Sequence, residues 1–198
     1  MAAIVSSGDN APYLRTGVFT FFKQRIVWLM LLMVSSTFTS LIINGFENSL
    51  STCLVLTAFI PMLMGTGGNA GSQASVTVIR SLSLGELRFN DAFRVIWKEI
   101  RISVLCGLAL SLVNFGKMLL VDQLLFKNPD VTWTVALVVS LSIILTVLVA
   151  KFVGGLLPIL ADRVGIDPAV MASPLITTTV DVLSLLIYLS IATAVLGL

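Results

Sequence analysis

Histidine is missing from all 198 residues, and cysteine occurs only twice. The first absence removes histidine-based zinc sites, Ser-His hydrolases and most proton shuttles. The two cysteines, Cys53 and Cys106, form no C-x-x-C pair. Each falls near the start of an apolar span, on spans entering from opposite sides, which argues against a disulfide. Charge is also scarce. Asp, Glu, Lys and Arg make up 11% of the chain, against about 25% in a soluble domain, too little to cover a water-facing surface. In their place 57% of residues are hydrophobic, and mean hydropathy is +1.05. The fold class this implies is an all-α, polytopic membrane protein. At about 20 to 25 residues per span plus loops, five or six helices fit and leave no room for a second, soluble domain. The net charge of +2 says nothing about nucleic acid.

Residues 1–25 read as an N-terminal tail followed by a short aromatic and basic segment, YLRTGVFTFFKQR, which is either an interfacial helix or the flank of the first span. No charged n-region, apolar core and cleavage site occur there, so a signal peptide is not expected. Residues 26–198 then form the membrane domain. Its five spans begin near Ile26, Ser51, Ile102, Thr132 and Pro168. Pro61 and four glycines between Gly65 and Gly71 predict that the second helix is broken at this Gly-rich segment. Broken backbone at membrane depth is tolerated where it is buried in protein or lines a wet cavity; the alternative is a ligand-free glycine-rich turn. Residues 80–101 are the one densely charged stretch, with five basic and three acidic residues. They read as an amphipathic connection. Nine Lys and Arg residues fall on the N-terminal side of this layout and two, Lys117 and Lys127, on the other. The positive-inside rule therefore puts the N-terminus in the cytoplasm and the C-terminus outside the cell membrane.

The last span carries Thr177, Asp181, Ser184 and Tyr188 at helical spacing, on one stripe. Asp181 falls roughly 16 Å into a hydrocarbon core about 30 Å thick. An aspartate at that depth costs on the order of 3 kcal/mol or more, so it is expected to face an ion path or a polar cavity. The plainer alternative is a carboxylate buried against a neighbouring helix. Asp167, followed by Pro168, fits an N-cap and first helical position. Oxygen-only surroundings suit a hard cation such as Mg²⁺ or Ca²⁺. One carboxylate per chain is thin for a divalent ion. A two-fold dimer with its axis through the pore supplies two, and reluctant dehydration of Mg²⁺ favours contact through its waters.

Three stretches, FIPMLMGTGGNAGSQASVTVIRSLSLGEL, WKEI and GGLLPILADRVGIDPAVMASPLITTTVDVLSLLIY, closely resemble the transmembrane domain of MgtE-type magnesium channels, relatives of the eukaryotic solute-carrier magnesium transporters. The resemblance runs from about Pro12 to the C-terminus. It implies a homodimer of five-helix protomers, with the second and fifth helices lining a pore through which Mg²⁺ crosses the membrane. Mn²⁺ and Co²⁺ are the alternative ions. It implies metal recognition by Asp181, with Asp167 at the cytoplasmic mouth, and a pore lining of Gly65, Gly68, Asn69, Ser173, Thr177, Thr178 and Ser184. Family members commonly carry cytoplasmic sensor domains; the expectation is that these are absent from this chain, whose first residues resemble the end of the linker to them.

Ser184 stands where the family often has glycine, and Lys151 lies at a depth similar to that of Asp181. An ammonium paired with Asp181 would compete with the cation, so Lys151 is expected to face another side and to snorkel or bond a carbonyl. Passive Mg²⁺ entry leads the functional reading, with Na⁺- or H⁺-coupled divalent-cation exchange as the alternative. No enzyme activity is expected. An intramembrane aspartyl protease needs two facing aspartates, and the reading places only Asp181 at depth. A non-transporting scaffold is the remaining class.

Overall fold

The computed structural model of the chain describes residues 16–198, apart from the side chains of Gln24 and residues 169–174. Among the described residues five helices are long and apolar enough to cross a membrane. Helix α1 covers Val18–Gly45, and α2 is a short helix, Glu47–Thr52. A 3₁₀ segment, Leu54–Phe59, leads into α3, Ile60–Ser83. Helix α4 covers Ala92–Lys117 and runs into a wider π-turn segment, Met118–Leu125. Helices α5, Trp133–Val164, and α6, Pro168–Leu196, complete the chain. From Val18 the short aromatic and basic segment is continuous with α1; residues 1–15 lie outside the description.

Helix α5 is the centre. It packs against α3, α4 and α6, while α3 also packs on α6, and α1 lies against α6. Sequence explains this order. Along α5 the buried residues occur on every side, from Val135 through Ile143, Val147 and Ala150 to Ile159, as expected of a helix apolar all round. On α4 the buried residues are Val95, Glu99, Ser103, Gly107, Ser111 and Asn114, steps of four and three that draw one narrow face of small or polar side chains. Gly107 lets that face approach the backbone of Ile144.

The expected break at the Gly-rich segment does not occur: α3 runs uninterrupted through Gly65–Gly71. Two physical facts account for this. Pro61 sits in the first turn, where its missing N–H has no intrahelical partner to lose. Gly67 and Gly71 form a small-xxx-small pair that lets backbones meet, the usual device of membrane helix packing. A Cβ on Gly71 would fall 3.1 Å from the Ala150 carbonyl oxygen, and one on Gly154 would run into the Gly71 carbonyl group itself. The irregular backbone lies one segment earlier, at Cys53 and the 3₁₀ turns after it.

The turns match local chemistry. Thr132 caps α5, its hydroxyl accepting from the Val135 N–H at 3.3 Å. At the other end Gly165 takes a left-handed φ of 78°, and the Ile166 N–H returns to the Ala161 carbonyl at 3.0 Å. Arg163 then stacks 3.9 Å above the Phe89 ring, tying the end of α5 to the α3–α4 connection. After α4 the wider π turn draws residues five apart together, and Lys117 pairs with Asp122 at 2.7 Å.

Candidate functional site

The stripe on α6 divides along its length. Thr177 is exposed and Asp181 half-buried, whereas Ser184 and Tyr188 are buried. The buried half is closed by the N-terminal part of α3. A Cβ at Gly67 would fall 2.7 Å from the Ser184 hydroxyl, 2.8 Å from Val180 and 2.9 Å from Thr146. Glycine at 67 therefore permits α3, α5 and α6 to converge, meeting the Ser184 hydroxyl and the Thr146 methyl group; Thr146 Oγ1 is buried with no hydrogen-bond partner. Within one chain Ser184 is thus covered, at 2% exposure. Further on, the Tyr188 hydroxyl donates to the Leu56 carbonyl at 2.8 Å, satisfying the irregular 3₁₀ segment from across the bundle. Tyr188→Phe removes that donor from a buried carbonyl. We expect it to cost about 1 to 3 kcal/mol of stability, read as a lower thermal midpoint in detergent.

Asp181 is level with the Gly67–Gly71 turn of α3, since its neighbour Val180 meets the Cβ positions of both glycines. At these levels Gly65 is exposed and Gly68 partly so, and neither has a heavy atom within 4 Å of its Cβ position. Thr178 donates to the Leu175 carbonyl at 3.3 Å. Ser173 lies outside the described side chains. Asp167 is exposed, directly before the first residue of α6. It stands fourteen residues from Asp181, about 20 Å of helix, so one chain does not bring the two carboxylates together. Among the described residues no group of three or more His, Cys, Asp or Glu side chains could hold a metal ion.

Asn69 is exposed but turns towards α4: it lines a cavity of about 460 Å³ with Thr66, Gln73, Cys106 and Lys151. Lys151 does not snorkel. It is 5% exposed, and its Nζ lies 3.7 Å from Glu99 Oε2 on α4. Sequence reasoning missed Glu99, assigning it to the charged connection with its solvated neighbours. The signal was the four-residue step from Glu99 through Ser103 and Gly107 to Ser111, which puts this carboxylate on the packed face of α4.

The family model MgtE, described as "Divalent cation transporter", matches residues 60–191. The magnesium transporter MgtE of Thermus thermophilus is 38% identical over 180 residues, covering 91% of this chain and 38% of that protein. The magnesium transporter MgtE of Bacillus subtilis is 34% identical over 171 residues, covering 86% of this chain and 36% of that protein. That of Enterococcus faecalis is 32% identical over 170 residues, 86% of this chain and 36% of its own length. The chain thus spans less than two fifths of these relatives.

Proposed function

The chain belongs to the MgtE family of divalent cation transporters, and on that premise we propose that it conducts Mg²⁺ through a pore formed by α3 and α6 of two copies. The observation that carries this reading is the half-buried Asp181 on an apolar helix, level with a turn of α3 whose glycines Gly65 and Gly68 have nothing packed on them. A second copy related by a two-fold axis would cover this face. It would also bring a second Asp181, the minimum charge a divalent ion needs. The carboxylates would meet hydrated Mg²⁺ through its water shell, with the Thr177 and Thr178 hydroxyls beside the path and Asp167 and Ser173 nearer its mouth. Mn²⁺ and Co²⁺, of similar charge and coordination, are the competing ions. The nine-to-two distribution of Lys and Arg supports an N-terminus on the cytoplasmic side of the cell membrane.

The test is Mg²⁺ uptake by liposomes holding the purified chain, across a series of imposed potentials. Moving two charges through 100 mV is worth about 4.6 kcal/mol, so a passive pore gives uptake that rises steeply with inside-negative potential. Uptake indifferent to potential and dependent on an opposing Na⁺ or proton gradient would replace the channel with coupled exchange.

A further inference from the structure

Glu99 is more than nine-tenths buried, yet its Oε2 accepts no hydrogen bond. Lys151 is the nearest cation, at 3.7 Å, beyond direct hydrogen-bond length. A buried carboxylate held this loosely retains most of its desolvation cost. Oε2 itself is shielded from solvent, but Glu99 lies on the wall of a cavity of about 350 Å³ between α3 and α4, which Thr77 and Ser81 also line, with the exposed Glu86, Arg94 and Lys98 around the rim. Room for the carboxylate is provided by Gly155, whose Cβ would lie 3.4 Å from Glu99 Cγ.

Lys151 has a second place to go. Lys151 also lines the 460 Å³ cavity, together with the amide-bearing Asn69 and Gln73. An amide oxygen accepts from an ammonium group and carries no net charge. The ammonium can therefore leave Glu99 for Asn69 and Gln73 without crossing the helix, provided another cation takes its place on the carboxylate.

We propose that Glu99, with the Thr77 and Ser81 hydroxyls, forms a site for a small monovalent cation of the Na⁺ type, and that Lys151 is the tethered cation that occupies the carboxylate when the site is empty. A monovalent ion neutralises the carboxylate that the ammonium leaves, and the displaced ammonium, held by neutral amides, leaves the region with one added positive charge. A divalent ion fits this exchange less well, because it would add two such charges and keeps its waters in a site with one carboxylate. The site is separate from Asp181: Glu99 and Lys151 belong to the α4 side of α3 and α5, whereas Asp181 lies by the α3–α6 contact.

Thermal unfolding of the purified chain, in Mg²⁺-free NaCl against choline chloride at matched ionic strength, tests this without any transport measurement. The wild type gains a saturable, Na⁺-specific rise in its midpoint, Asp181→Asn keeps it, and Glu99→Gln loses it. Lys151→Met reaches half-maximal effect at a lower Na⁺ concentration, about tenfold lower if the ammonium leaves the carboxylate free a tenth of the time. Should Glu99→Gln fail to fold, the Glu99→Gln/Lys151→Met double variant, which leaves no unpaired charge, takes its place and shows no Na⁺ response. An equal midpoint in both salts for wild type and Lys151→Met overturns the site. A response confined to Lys151→Met overturns the exchange, showing that the ammonium never yields. A response lost in Asp181→Asn would move the cation to the other face.

Discussion

Asp181→Asn is expected to lower Mg²⁺ flux by at least about tenfold at every potential, with the thermal midpoint unchanged. The substitution keeps the size of the side chain and removes its charge. At an outer-sphere separation of about 5 Å, Mg²⁺ and one carboxylate attract by about 2 kcal/mol in water and by several times that where water is partly excluded. Since 1.4 kcal/mol is a factor of ten in occupancy, loss of the charge alone carries the predicted effect, and a paired site in a dimer loses two such terms. Stability should hold because Asp181 is half-buried, whereas the close contacts with Gly67 and Gly71 are made by Val180 and Ser184. Flux equal to wild type would return Asp181 to a packing role and remove the carboxylate from the path. A lower midpoint with lower flux would instead make the loss structural.

How the two carboxylates of the membrane region were read shows what a sequence exposes. Asp181 was legible because it interrupts an apolar run, and depth follows from counting residues along a helix. Glu99 was not, because five charged neighbours between Arg88 and Arg101, exposed at Arg88, Arg94, Lys98 and Arg101, mask the one member of the run that turns inward. Only the four-residue step of α4 separates it from them. The glycines failed for another reason. Their low helix propensity is measured in water, where a broken turn finds solvent partners. In a bilayer each backbone group must be satisfied within the segment, and glycine becomes the residue that lets helices touch. The five spans, their order and most of their ends were legible from hydropathy and punctuation. Which face of α3 looked at which neighbour was not, since Gly65, Gly67, Gly68 and Gly71 look alike in sequence and only Gly67 and Gly71 are buried.

That distinction separates the effects of substitutions that are chemically identical. Gly154→Ala would push a methyl group into the Gly71 carbonyl oxygen, carbon and Cα, all of them backbone atoms. No rotamer relieves that contact. The helices must separate, which costs about 3 kcal/mol or more, the upper end of what overpacking usually costs. Separation would propagate, because the Gly71 turn also packs on Ile176 and Val180 of α6, the turns on either side of Thr177 and next to Asp181. We therefore expect Gly154→Ala to lower the thermal midpoint by several degrees and to reduce the yield of folded protein. Gly68→Ala, whose methyl group meets nothing within 4 Å in the chain, should leave the midpoint unchanged or slightly raised, since alanine favours the helix by up to about 1 kcal/mol. If the proposed second copy faces Gly68, that variant will instead lose flux at full stability, placing the two glycines on different sides of α3: one joins α3 to α5, the other borders the path. An unchanged midpoint in Gly154→Ala would mean that α3 and α5 do not meet at Gly71 and Gly154. The close approach that orders α3, α5 and α6 would then have to be abandoned.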